Sequence, residues 1–229
     1  MEPTAPITLT QLTTIIAAVG ALGTAAFGLV DTFKALPGGG ISRAGFKFIR
    51  QIVLQLAPPV SSLDQTGLSR NSIVTSLLSQ WINGTATADQ VNIAKSLIKL
   101  RLTPDTASVL AQATGVDAFV LTEVAKNINS GTPLTQPQND VYGRFDLLLT
   151  TLLDQAYERA DQRYRNVAKF AAVPVAVALA VIAAVVVPSH INIPEAILIG
   201  LIATPIAPIA KDLSSAITTT AQTIQAWKG

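Results

Sequence analysis

The chain has 229 residues, a formal net charge of +2 and a mean hydropathy of +0.45. Only 13% of its residues are charged, about half the usual share in a soluble domain. The small net charge argues against polyanion binding by the whole chain, and the absence of cysteine excludes disulfides, thiolate metal sites and a cysteine nucleophile. The composition therefore favours a membrane protein over a wholly soluble one.

Basic residues are absent from two long apolar parts of the sequence. None of the 16 Lys and Arg residues lies in residues 1–33 or 170–210, and two lie beyond residue 210, so 14 of the 16 lie in residues 34–169. Basic loops are retained on the cytoplasmic side of a membrane. The pattern predicts two membrane regions with a cytoplasmic region between them.

The first apolar region predicts an N-terminal transmembrane helix. Residues 7–30 carry no charge and are long enough to cross a bilayer. A secretory signal peptide needs a basic segment ahead of its apolar run, and here only Glu2 precedes it. Small residues recur along the segment and predict a face that packs closely on another helix. These predicted helix-packing residues are Ala17, Gly20, Ala21, Gly23, Ala25 and Gly28.

The second apolar region predicts a helical hairpin in the membrane. Residues 170–187 form one apolar segment, and residues 195–210 form a shorter one that contains Pro205 and Pro208. The shorter segment either spans with a kink or enters as a re-entrant element, and a hairpin of two spanning helices is the preferred interpretation. Three spans would place the N-terminus outside, and residues 34–168 and the C-terminus in the cytoplasm.

The sequence pattern predicts that residues 34–168 form a cytoplasmic helical domain. Predicted helix starts are Ser42, residue 72, a capping box at Thr87–Gln90, Thr103–Pro104, Asp117 and Asp140. From Asp140 the helical pattern continues without a break into the second apolar region. The prediction is thus an all-α integral membrane protein. Its four parts are an N-terminal helix (1–33), a cytoplasmic domain (34–168), a hairpin (169–210) and an amphipathic C-terminal helix (211–229).

Basic residues flank the membrane segments on the predicted cytoplasmic side. They are expected to contact anionic lipid headgroups, at about 1 kcal/mol for each basic residue near the surface. The alternative is that they only enforce the topology. The predicted headgroup residues are Arg43, Lys47, Arg50, Arg163, Arg165 and Lys169.

Residues 106–126 have spacings that resemble a DNA-binding helix-turn-helix, with Gly115 at the turn. A recognition helix presents polar or basic side chains to base edges and phosphates, whereas this second helix carries Asp117, Phe119 and Glu123. The motif therefore predicts a helical geometry without nucleic-acid binding.

The remaining polar residues predict no catalytic or cofactor site. Asp154, Glu158 and Asp161 have arginines nearby and read as a solvated, salt-bridged face. His190 is the only histidine and cannot form a zinc site alone. Nucleotide-binding and hydrolase motifs are absent from the sequence. We therefore expect neither an enzyme nor a bound cofactor.

The sequence predicts a non-catalytic structural or accessory subunit. It would assemble through its small-residue faces with copies of itself or with a larger membrane complex. One alternative is an oligomeric pore, and a third class is a membrane-tethered DNA-binding regulator. The residues that would line the pore are Thr8, Thr10, Gln11, Thr13 and Thr14.

Overall fold

A computed structural model gives the fold of most of the chain. The residues it describes are 9–32, 40–59, 68–186, 191–208 and 210. Of these residues, 86% are helical and none is in a strand. The predicted all-α class is confirmed.

The chain divides into two compact units. We call Pro37–Tyr164 the helical domain, and Met1–Leu36 together with Arg165–Gly229 the apolar unit. The predicted C-terminal amphipathic helix, residues 211–229, lies outside the described residues, as does His190.

The described residues contain eight helices. In chain order they are α1 (Leu9–Thr32), α2 (Ser42–Leu56), α3 (Arg70–Ile82), α4 (Thr87–Lys99), α5 (Pro104–Thr114), α6 (Ala118–Ser130), α7 (Gln136–Val186) and α8 (Ile193–Pro208).

The predicted long helix is present as α7, which runs for 51 residues without interruption. It begins at Gln136, four residues before the expected start. The division between the two units falls within it, after Tyr164. One helix therefore contributes to both units.

Two of the predicted helix starts are confirmed by their caps. Thr103 and Thr106 form a reciprocal capping box at the start of α5. Asp117 accepts a hydrogen bond of 2.8 Å from the backbone N–H of Val120 at the start of α6. Such caps satisfy backbone donors that the first helical turn leaves unpaired.

Two other predicted caps are wrong. Ser42 and Thr87 are each the first helical residue, after Ile41 and Ala86, and neither helix has a side-chain cap. An N-cap side chain reaches the first-turn N–H groups from a residue whose own backbone is not yet helical. Because both helices begin one residue earlier than expected, Ser42 and Thr87 lie inside them.

The core of the helical domain is built from large side chains. It draws on all six helical segments of the domain, so that residues distant in sequence meet in one cluster. Its fully buried members with the largest volumes are Arg101, Tyr157, Phe145, Ile49, Leu56, Ile73, Leu77, Ile98, Leu110, Leu121, Leu149 and Leu153.

Arg101 is the exception in this core because it is charged. Its guanidinium donates to the backbone carbonyls of Pro58 and Leu68, at the two ends of the α2–α3 connection. Its own carbonyl accepts from the Thr106 hydroxyl in α5. A buried guanidinium is tolerated where its N–H groups find acceptors. This side chain thus ties the α2–α3 connection to the start of α5.

The packing of α2 on α7 depends on a residue without a side chain. A Cβ atom at Gly45 would overlap the carbonyl oxygen of Ala160 and would lie 3.1 Å from Cζ2 of Trp81. The Trp81 indole N–H also donates to the Ser42 carbonyl at 2.9 Å. Gly45 therefore allows the two helices to approach at backbone distance.

Two Gly→Ala variants should change stability in opposite directions. Gly45→Ala should lower the free energy of unfolding by about 1–3 kcal/mol because it overpacks the α2–α7 contact. Gly143 is exposed in α7 with no atom near its missing Cβ, so Gly143→Ala should raise stability by about 0.5–1 kcal/mol.

The measurement is urea unfolding of the full chain in a Trp227→Phe background, which leaves Trp81 as the reporter. Equal effects of the two substitutions would contradict the packing described for Gly45.

Candidate functional site

The apolar unit reverses the usual arrangement of side-chain sizes. Its buried hydrophobic residues are mostly alanine, while large side chains such as Phe170 and Leu198 are 80% and 61% exposed. Water drives large apolar side chains inward, as it does in the helical domain. The buried alanines are Ala26, Ala172, Ala176, Ala180, Ala196, Ala203, Ala207 and Ala210.

Two glycines bring α1 against α8. A Cβ at Gly23 would overlap the backbone carbonyl of Ala203, and a Cβ at Gly20 would overlap the Cβ of Ala210. Neither overlap can be relieved by rotating a flexible side chain. Contact at this distance lets backbone and small side chains pack tightly where these residues meet.

A third glycine brings α8 against α7. A Cβ at Gly200 would overlap the backbone of Val177 and would lie 3.0 Å from the Ala176 carbonyl oxygen. On this part of α7, Ala172, Ala176 and Ala180 are buried at four-residue intervals. The helix α8 therefore has one close contact with α1 and another with α7.

These α7 and α8 residues were not singled out from the sequence. The four-residue spacing of Ala172, Ala176 and Ala180 is the same signal that indicated a packing face in α1. Applied to the second apolar region, it would have found this contact.

The six predicted helix-packing residues fall on two different faces of α1. Gly20 and Gly23 are buried inside the apolar unit, together with Ala26. The other four, Ala17, Ala21, Ala25 and Gly28, are exposed. At 3.6 residues per turn, Ala21 and Gly23 point in directions about 200° apart. Their assignment to an intermolecular face stays a prediction.

An apolar groove of about 560 Å³ opens on the apolar unit. None of the described residues that line it is charged. Its lining residues are Ile15, Ala18, Val19, Leu22, Ala180, Ala183, Ala184, Ile191, Ala196 and Ile199.

Two helices are long and apolar enough to cross a membrane, judged by length and composition. They are Gln11–Thr32 and Gln136–Val186, and Ile193–Pro208 is a shorter apolar helix.

The predicted headgroup residues are all exposed, in two groups. Arg43, Lys47 and Arg50 lie along α2, where the Lys47 ammonium lies 5.0 Å from the centroid of the Phe48 ring. The second group lies on α7 and consists of Arg163, Arg165 and Lys169. Lipid contact by either group stays a prediction.

An ion-paired cluster joins α4 to α7 in the helical domain. Lys99 and Lys95 lie 2.9 Å and 3.4 Å from the Asp146 carboxylate, and the Lys99 ammonium lies 4.8 Å from the centroid of the Tyr142 ring. Partial burial opposes the charged forms of Asp146 and Lys99, but their hydrogen bonds and electrostatic attraction outweigh this penalty. The pKa of Asp146 is lowered and the pKa of Lys99 is raised.

A tyrosine hydroxyl lies buried in the core of the helical domain. Tyr157 packs beside Trp81, with ring centroids 6.3 Å apart, and among the described residues its hydroxyl has no hydrogen-bond partner. Burial raises the pKa of Tyr157. Burial thus favours the neutral, protonated form of the hydroxyl.

The helix-turn-helix resemblance corresponds to α5 and α6. Gly115 makes the turn with φ +73°, and Leu121 and Val124 of α6 are buried. On the exposed side, Phe119 is 75% exposed and Lys126 pairs with Glu123 at 2.8 Å. The arrangement offers phosphates little charge, and the prediction against nucleic-acid binding stays a prediction.

Within the described ranges, no group of three or more His, Cys, Asp or Glu residues could hold a metal ion. Asp154 and Glu158 are exposed on α7, and Asp161 is partly buried.

The comparisons with known proteins add no assignment. No family model, curated protein or solved structure matches the chain.

The close contact of α1 with α8 predicts a difference between two glycine variants of one helix. Gly23→Ala should destabilise the apolar unit by about 1–3 kcal/mol, because its Cβ meets backbone that cannot move independently. Gly28→Ala is the matched control, since nothing lies within 4 Å of its missing Cβ. Thermal unfolding of the full chain in detergent measures both, and an unaffected Gly23→Ala would contradict the contact.

The Asp146 cluster predicts a pH-dependent contribution to stability. Asp146→Asn should cost less than about 1 kcal/mol at neutral pH, because the pair is partly exposed and screened. Since the native pKa of Asp146 is lowered, the stabilisation is present above its unfolded value near 4 and is lost as pH falls through the native value. Unfolding of wild type and variant should thus converge in acid, and a difference that grows in acid would contradict the pairing.

Proposed function

We propose that the chain is a non-catalytic multi-pass membrane protein that acts as a structural or accessory subunit. It assembles with copies of itself or with a larger complex through the assembly face of α1. This face consists of Ala17, Ala21, Ala25 and Gly28. The observation that carries the proposal is the reversed size pattern of the apolar unit, with small residues inside and large ones outside.

Energetics favours lipid around the apolar unit. Burying a large apolar side chain away from water stabilises a protein by about 1.5–3 kcal/mol. In water the apolar unit would lose most of this stabilisation at each of Phe170, Val185 and Leu198, because these side chains are exposed. In lipid the loss disappears, because the surroundings are as apolar as the side chains. Helices then associate by close packing of small residues, which is the contact that α8 makes with α1 and α7.

The proposed topology has three spans: α1, the C-terminal part of α7, and α8. The 16 residues of α8 extend about 24 Å against a hydrocarbon core of about 30 Å. Local thinning of the bilayer accommodates such a mismatch. The distribution of Lys and Arg supports an external N-terminus, with residues 34–168 and the C-terminus in the cytoplasm.

The four residues of the assembly face are all exposed in the part of the chain that the structure describes. Gly20, Gly23 and Ala26 form the internal contact on the opposite side of α1, while Ala17, Ala21 and Ala25 are exposed at four-residue intervals. No atom lies within 4 Å of the missing Cβ of Gly28. A helix of another subunit can therefore approach this face closely without disturbing the internal contact.

The test is the native mass of the protein extracted gently from its own membranes, with every co-purifying chain identified. We expect a mass above that of the monomer. The double variant Ala21→Ile/Ala25→Ile should reduce it to the monomer, because bulk on the assembly face separates the helices. Leu198→Phe, which enlarges an exposed residue of α8, is the control and should leave the mass unchanged.

A defined hetero-complex would support the accessory role and identify the process that the protein serves. A closed homo-oligomer would support self-assembly. A wild-type monomer without co-purifying chains would contradict the proposal.

A further inference from the structure

We propose that a cavity of the helical domain binds the phosphate group of a phosphomonoester. The cavity has a volume of about 410 Å³ and lies where the end of α2 meets the start of α3. Most of the described residues that line it are basic or neutral polar, and none of them is acidic. The lining residues are Arg50, Leu54, Pro59, Ser69, Arg70 and Asn71.

Two arginines from different helices supply the positive charge. Within the described residues, neither Arg50 nor Arg70 forms an ion pair. Arg70 donates from Nη2 to the Leu54 carbonyl at 3.1 Å, which fixes its guanidinium at the cavity wall. Its Nε is buried and, within the same residues, has no acceptor. The same guanidinium lines the cavity, and its remaining accessible N–H groups can donate to a bound anion.

The donor set fits phosphate better than a carboxylate. A carboxylate presents two oxygens, which one guanidinium fork can occupy, whereas a phosphomonoester presents three terminal oxygens to both arginines at once. The Asn71 side chain adds a neutral donor group to the lining. The Ser69 hydroxyl accepts a hydrogen bond from the backbone N–H of Ser72 at 3.1 Å. The positive charge of the lining comes from the two arginines.

The cavity has room for a phosphate that is attached to a larger group. A volume of about 410 Å³ lies within the range of small-molecule sites, about 300–1,000 Å³, and exceeds the needs of an inorganic ion. A soluble phosphomonoester and the headgroup of a phosphatidic-acid-type lipid share this chemistry. The inference does not rest on the proposed membrane function, because all six lining residues belong to the helical domain.

Ligand-dependent thermal unfolding of the full-length chain in an uncharged detergent tests the proposal. One arm adds inorganic phosphate against chloride at constant ionic strength. The other adds phosphatidic acid against phosphatidylcholine in mixed micelles. A ligand that binds only the folded chain raises the unfolding midpoint, and we expect such a rise in at least one arm.

The matched variants are Arg50→Gln and Arg43→Gln. Both remove one positive charge from an exposed position of α2, but only Arg50 lines the cavity. Arg50→Gln should weaken apparent binding about tenfold, as expected for loss of one charge-assisted contact, and Arg43→Gln should leave it near the wild-type value. Because Arg50 is exposed and forms no hydrogen bond or ion pair with the described residues, its variant should remain folded.

A rise with inorganic phosphate, with or without a rise in the lipid arm, would show that the phosphate group is sufficient for binding without a lipid. A rise with phosphatidic acid alone would assign the site to a lipid headgroup. No rise in either arm, or equal weakening by Arg43→Gln and Arg50→Gln, would overturn the proposal. The native-mass experiment is independent of these outcomes, so failure of one leaves the other standing.

Discussion

Backbone contact at three glycines is the constraint on which the apolar unit depends. Gly20, Gly23 and Gly200 each lie where a Cβ would overlap a neighbouring helix. Buried large side chains contribute little there, so the contacts between α8 and its two neighbours must come from close packing of small groups. Such packing is how helices associate when the solvent itself is apolar. The proposed membrane location follows from this constraint.

The helical domain is organised by the opposite rule. Its core buries large side chains, as expected where water drives apolar surface inward. Within this core, the buried Arg101 guanidinium links the carbonyls of Pro58 and Leu68. The same α2–α3 connection borders the cavity that contains Arg50 and Arg70. The chain thus contains one unit whose large apolar side chains are buried and one whose large apolar side chains are mostly exposed.

Local signals in the sequence predicted where the helices lie, although the predicted caps at Ser42 and Thr87 are wrong by one residue. Thr103 and Asp117 cap α5 and α6 as expected, because a cap depends only on residues within one turn. The face of α1 that packs internally was not predictable in the same way. Alanine and glycine recur all around α1, and only the partner helix α8 decides that Gly20 and Gly23 are buried while Ala21 is exposed.

Features made by residues distant in sequence were missed for the same reason. From the sequence, Arg101 and Arg70 could be identified only as basic residues of a helical domain. The groups that they contact lie tens of positions away in the sequence or in another helix. The headgroup interpretation included Arg50 but not Arg70, because α2 and α3 meet only after folding. Buried charge and cavities are tertiary properties, and a single sequence carries no periodic signal for them.

The most direct test of the central claim is the solvent accessibility of two leucines. The chain has no cysteine, so Leu198→Cys and Leu147→Cys each provide one position for a spin label. The native leucines are similarly exposed, 61% in the apolar unit and 65% in the helical domain. In reconstituted vesicles we expect the label at position 198 to collide with oxygen and to be shielded from a water-soluble nickel complex. We expect the label at position 147 to be freely accessible to the nickel complex. Equal access of the nickel complex to both positions would contradict a membrane location for the apolar unit.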